Sequence, residues 1–209
     1  MESPTRLLLL RHAEVEARYQ RVFGGRIDMN LSPEGQRQAR ALADYLRDTP
    51  FDAIYASPMK RAQQTLAEIR QGRPQEPVIL DGLREVDFGS WTGLSWQELF
   101  DRHQISAFQW LEHLERGTIA EAECGKTFRA RVAPCLEQIL SAHRGQTVAV
   151  VCHGGVIRML LSILLELPLP KMTHFDVEYA SLTRVLCHDH KSDIDLGNFT
   201  PWRDWRPRP

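Results

Sequence analysis

The sequence predicts an α/β fold: a single three-layer domain whose mostly parallel central sheet is flanked by helices. Short apolar runs at Leu7–Leu10 and Val148–Cys152 break abruptly into polar residues, which is how a strand buried on both faces looks in sequence. Serine–proline pairs at Ser32-Pro33 and Ser57-Pro58 open segments with apolar residues at helical spacing, because serine caps a helix and proline suits its first turn. Strand and helix signals then alternate along 209 residues without an internal repeat or a linker, as βα units of one domain do.

Each element follows in order. After the first strand, Ala39, Leu42, Ala43 and Leu46 mark an amphipathic helix, Phe51–Ala56 a second strand, and Ala62, Leu66 and Ile69 the inward stripe of the next helix. Val78–Leu80 is a third strand, and Ser95 with Glu98 forms a capping box. Phe128, Val132, Leu136, Ile139 and Leu140 define a later helix, which Pro134 is expected to kink or delay. The fourth strand stops at His153-Gly154-Gly155 before a helical run over Val156–Leu165, and Ser181–Cys187 reads as a late strand. The expected domain spans 1–209, with 91–125 as a substrate-covering insertion and 189–209 as an irregular C-terminal segment that its own Trp202 and Trp205 are expected to pack down.

Composition narrows the function classes. With 43% hydrophobic residues the chain can bury a substantial core, and its formal net charge of -1 provides no global field for nucleic acid or an anionic membrane. The apolar runs are too short for a signal sequence or a membrane span, so a cytoplasmic location is expected. Cys124, Cys135, Cys152 and Cys187 lack metal-knuckle spacing and are expected to be reduced core thiols, Cys152 inert among them. His188-Asp189-His190 suits a polar turn better than a metal site.

Three strands end in chemically useful groups: Arg11 and His12, then Arg61 on the first turn after the second strand, then His153. The carboxyl ends of parallel strands share one crevice. Two arginines and two histidines there make an anion pocket, because the guanidinium fork suits phosphoryl oxygens.

Five segments, RHAE at Arg11–Glu14, Gly25–Gly35 ending in LSPEG, SPMKRAQQT at Ser57–Thr65, LREVDFGSWTG at Leu83–Gly93 and VVCHGGVIR at Val150–Arg158, resemble in order the histidine phosphatase superfamily, the phosphoglycerate mutase-like group. The resemblance implies that His12 is the nucleophile and becomes phosphohistidine. It implies that Arg11, Arg61 and His153 hold the phosphoryl oxygens and that Glu85 is the proton donor. It also implies a small phosphorylated metabolite as substrate, no cofactor and no metal, while leaving a homodimer open.

The match departs at Ala13, Val15 and Arg18, where the family usually carries glycine, threonine and asparagine. Arg18 and Gly25 are therefore candidate substrate-binding residues, Arg18 either touching a second anion of the substrate or lying on the surface. Ala122-Glu123-Cys124 blurs the family's Gly-Glu-Ser, which leaves the role of Glu123 open. Trp91, Trp96, Phe108 and Trp110 are expected in the core rather than against substrate. The implied function is a phosphomonoesterase acting on α-ribazole 5'-phosphate, a sugar phosphate or a phosphoglycerate. Alternatives are a phosphoglycerate mutase-type transfer, which the compact 91–125 segment disfavours, and a non-catalytic phosphate-binding module.

Overall fold

The computed structural model describes residues 3–206. Six strands, β1 (Thr5–Arg11), β2 (Ala53–Ala56), β3 (Val78–Ile79), β4 (Thr147–Cys152), β5 (Leu182–Cys187) and β6 (Ser192–Phe199), form one sheet in the order β3-β2-β4-β1-β5-β6. The pairs β1/β4, β2/β4 and β2/β3 are parallel, and β1/β5 and β5/β6 are antiparallel. The sheet is thus mixed, its parallel half holding the strand ends expected to build the site.

Alternate residues of the central strands feed two cores. Leu8 and Leu10 of β1, with Ala149 and Val151 of β4, pack on α1 (Pro33–Leu46) and α2 (Lys60–Ile69) through Leu42, Leu46, Leu66 and Ile69. Leu7 and Leu9, with Val148 and Val150, face α5 (Gly125–Ala142) and α6 (Gly154–Leu164). Period-two burial on both sides is why these strands carry continuous apolar runs. Ser32 caps α1, its hydroxyl accepting the Gly35 N–H at 2.8 Å.

Three expectations about the chain's elements and cysteines need correction. Helix α5 does not start late at Pro134: it runs from Gly125 through the proline, which is exposed, as is Ala130, whose carbonyl the proline leaves without its usual donor. The C-terminal segment is not irregular, since β6 adds to the sheet edge and α7 (Pro201–Asp204) follows it; positions 207–209 lie outside the described residues. Trp202 does pack down, its indole N–H donating to the Tyr179 carbonyl at 2.9 Å, and Trp205 meets the Tyr45 ring at 5.5 Å. Cys135 and Cys152 are core thiols, but Cys124 and Cys187 are only half-buried. His188 to His190 occupy the turn between β5 and β6, where His188 Nε2 approaches Asp193 at 3.5 Å.

The 91–125 segment contains α3 (Trp96–His103) and α4 (Trp110–Arg116). Trp91 is buried as expected. Trp96 is 41% and Phe108 73% exposed, and with Trp110 they line the cavity over the strand ends. Trp96 and Phe108 form a wall of the cavity rather than core, while Trp110 both lines it and packs on the core.

Candidate active site

His12 and His153 immediately follow β1 and β4, and the β1/β4 register pairs Arg11 with Cys152. The backbone extends this ladder by one bond, His12 N–H donating to the Cys152 carbonyl at 2.9 Å. The two imidazoles come to rest with centroids 5.2 Å apart, close to the spacing of neighbouring strands.

The His12 ring has a fixed tautomer. Its Nδ1 lies 2.8 Å from the Ala13 carbonyl, an acceptor only, so Nδ1 carries the proton and Nε2 the lone pair. Arg61 Nε donates to that Nε2 at 3.1 Å. Burial, reinforced by Arg61 and Arg11, holds the His12 pKa well below 6.5, so the ring is neutral. Ala13, where the family usually has glycine, does not adopt a positive φ, and its N–H donates to Thr65 Oγ1 at 3.0 Å.

Arg61 is 2% exposed and rigidly tied. Besides His12 it donates to the carbonyls of Ile27 at 2.8 Å and Gly25 at 2.9 Å, which leaves two of its five N–H groups for a ligand. Gly25 therefore serves the site through its carbonyl. Its φ of +44° and the Val86 carbonyl oxygen 2.8 Å from a would-be Cβ also demand glycine.

Arg11 stacks on the Tyr179 ring at 4.0 Å and donates to the Val177 carbonyl at 2.5 Å, leaving its buried Nε unpartnered. His153 Nε2 meets Ser57 Oγ at 2.7 Å, and its buried Nδ1 has no partner. Burial, then Arg61, His12 and Arg11, depresses its pKa well below 6.5. Two buried polar groups without partners in one crevice mark where an anionic ligand belongs.

Glu85 closes the far side. One carboxylate oxygen accepts the Gly155 N–H at 3.1 Å, the other the Val86 N–H at 3.0 Å. Gly155 admits it, since a Cβ there would lie 2.4 Å from Glu85 Oε1. Arg158, one turn into α6, donates to the carbonyls of Gly154 and Phe175 and lines the same cavity; burial, then Arg11, pushes its pKa down to about 10. Cys152 is fully buried and its thiol pKa is raised by desolvation, which removes it as a nucleophile.

The cavity of about 420 Å³ brings Arg11, His12, Arg61 and Glu85 together, with His153 in contact behind His12. Arg18 is not part of it: its side chain is 68% exposed, paired with Glu16 at 3.3 Å and laid over Tyr19. Sequence reasoning missed Tyr179, Arg158, Ser57, Thr65 and Arg131. Ser57, Thr65 and Arg158 lie inside the quoted motifs, whereas no local pattern marks Tyr179 or Arg131.

A family model described as the histidine phosphatase superfamily (branch 1) matches residues 7–200. The chain is 31% identical over 195 residues to phosphoserine phosphatase 1 of Hydrogenobacter thermophilus, covering 93% of this chain and 92% of that protein. It is 28% identical to the adenosylcobalamin/alpha-ribazole phosphatase of Salmonella typhimurium, covering 95% and 98%. The crystal structure of the alpha-ribazole phosphatase from Shigella flexneri superimposes with a TM-score of 0.81 at 25% identity, over 93% of this chain and 96% of that one. Strand order, the paired histidines and these likenesses agree: the chain belongs to the histidine phosphatase superfamily, branch 1.

Proposed function

We propose that the protein hydrolyses a small phosphomonoester through a phosphohistidine at His12. One observation carries this reading: a neutral imidazole of fixed tautomer presents Nε2 to a crevice lined by Arg11, whose buried Nε has no partner, with the unpartnered Nδ1 of His153 on the ring next to it. A phosphoryl group there takes N–H donors from Arg11, Arg61 and His153, and these offset the charge on its oxygens as the bond to the leaving alcohol breaks. Arg61 Nε–H passes from the His12 lone pair to a phosphoryl oxygen as the N–P bond forms. Glu85 protonates the departing alkoxide, and the resulting carboxylate takes a proton from the water that attacks phosphohistidine.

The cavity lining also favours hydrolysis over mutase-type transfer. Arg11, Arg61 and Arg158 are its cations, and Arg11 and Arg158 both lie within 3.5 Å of the Cβ position at Gly154. The rest of the wall is aromatic, with Trp96 and Phe108 at 5.8 Å and Phe88 and Trp110 at 5.4 Å between ring centroids, together with the carboxylates of Glu14, Asp176 and Glu178. No cation lines that part to hold a second phosphate, and carboxylates repel one. A flat, apolar alcohol fits it better, so an ester of the α-ribazole 5'-phosphate kind is favoured over phosphoglycerates.

Rapid quench with a radiolabelled monoester tests the chemistry. The expected result is an acid-labile, base-stable adduct that H12N abolishes. An adduct retained by H12N refutes the reading.

A further inference from the structure

Helix α5 carries a side chain that the phosphoryl site does not account for. Arg131 spends all five of its N–H groups. Nη1 donates to the carbonyls of Gly82 at 2.7 Å and Arg84 at 2.6 Å. Nη2 donates to the Glu85 carbonyl at 3.1 Å and to Glu123 Oε1 at 2.5 Å, and Nε donates to Glu123 Oε2 at 2.8 Å. Glu123 Oε1 also accepts the Asp87 N–H at 2.8 Å, while the Glu123 N–H donates to the Asp87 carbonyl at 3.2 Å.

The pair therefore grips the chain on both sides of Glu85. Little else does: the Glu85 N–H meets only the Met59 thioether, at 3.5 Å, a weak acceptor. The loop is pressed onto the helix, since a Cβ on Gly82 would lie 2.4 Å from the Arg131 carbonyl oxygen. With side chains only 20% and 11% exposed, the ion pair is partly shielded from water and its geometry is well defined. Lysine, with three donors on one atom, cannot reproduce a planar fork that serves three carbonyls and both oxygens of a carboxylate.

We propose that Arg131 and Glu123 are positioning residues that fix the Glu85 carboxylate at the N-terminus of α6, in line for proton transfer. This rests on the reading of Glu85 as proton donor. Misplacing a catalytic group by about an ångström costs up to roughly 10²-fold in rate, and the loss falls on the step that needs the proton.

The test measures the burst of alcohol or phenol release in single-turnover experiments with alkyl and nitrophenyl phosphates, for R131K, E123Q and E85Q. E123Q is the mild variant, keeping an oxygen for the Asp87 N–H. Inhibition by inorganic phosphate reports the anion pocket separately. In R131K the alkyl burst is expected to slow about 10- to 100-fold, the nitrophenyl burst by less than about 3-fold, with phosphate inhibition unchanged. E123Q should show the same selectivity at smaller size. If both variants slow the two esters equally, or slow neither, while E85Q discriminates between them, the brace is refuted and the Glu85 reading stands. If E85Q itself does not discriminate, the Glu85 reading fails and the proposal fails with it.

Discussion

Acidification from about pH 7 to pH 5.5 should destabilise this protein through the two histidines at the strand ends. His12 and His153 are both fully buried, and desolvation, followed by the neighbouring arginines, holds both pKa values well below 6.5. In the unfolded chain each ring takes up a proton near pH ~6.5, while in the folded protein both stay neutral. The unfolded state thus binds more protons, so stability is present above pH ~6.5 and is lost as pH falls. A ring that stays neutral throughout contributes at most RT ln(1 + 10^(6.5−pH)) to that loss, about 0.2 kcal/mol at pH 7 and about 1.4 kcal/mol at pH 5.5. Together they remove at most about 2.5 kcal/mol over this interval, equivalent to roughly 5–10 °C in Tm for a chain of this size. Urea unfolding at half-unit steps of pH, in the wild type and in an H12N/H153N double variant, isolates the two rings from the other histidines. The variant should be less sensitive to acid by that amount. Equal slopes for the two proteins would show that the rings are protonated in the folded state, and the neutral nucleophile would be lost with them.

Other outcomes follow from the cavity and the fold. F108A should lower kcat/KM for naphthyl and other flat aryl phosphates about 3- to 10-fold, the worth of an aromatic pair, and leave small alkyl phosphates unchanged; steady-state kinetics on the two classes decides it. R18A should leave kcat/KM unaltered for monoanionic and dianionic leaving groups alike, because the side chain lies outside the cavity over Tyr19; selective loss with the dianionic class would bring Arg18 back into the site. G35A should destabilise the fold by more than about 2 kcal/mol in urea titration, since its Cβ would fall 2.0 Å from the Glu14 carbonyl oxygen in a close-packed helix–loop contact. A G35A protein as stable as wild type would mean that the loop at Glu14 yields freely.

The sheet's core and the candidate site at its strand ends were legible because apolar runs that stop at a charged residue carry both facts at once. Leu7–Leu10 gave way to Arg11 and His12, and Val148–Cys152 to His153, and the structure places both ends in one crevice. Tyr179 and Arg131 were illegible because each acts alone and at long range, one under Arg11 and the other across the loop 82–87. No spacing rule reports a contact between elements far apart in sequence. The β6 strand was overlooked although Ile194 and Leu196 alternate with Asp193 and Asp195. The many charged neighbours of this edge strand resemble a solvated tail. Trp96 and Phe108 misled in another way, since aromatic residues suit a core and a cavity wall equally well.

The separation of the two imidazoles starts from β-sheet hydrogen bonding, which sets the two backbones side by side, and bonds to Ala13, Arg61 and Ser57 then hold the rings. His12 and His153 each follow directly on the last registered pair of the β1/β4 ladder, Arg11 and Cys152, so slipping either strand by one residue would send every side chain of that strand into the opposite core as it moved the rings apart. No insertion or deletion in the 91–125 segment can alter that distance. On the proposed function, the cavity wall supplied by Trp96, Phe108 and Trp110 can therefore be rebuilt, lengthened or exchanged while the histidine pair keeps its dimensions, which makes that wall a natural site for grafting a new specificity onto an unchanged reaction.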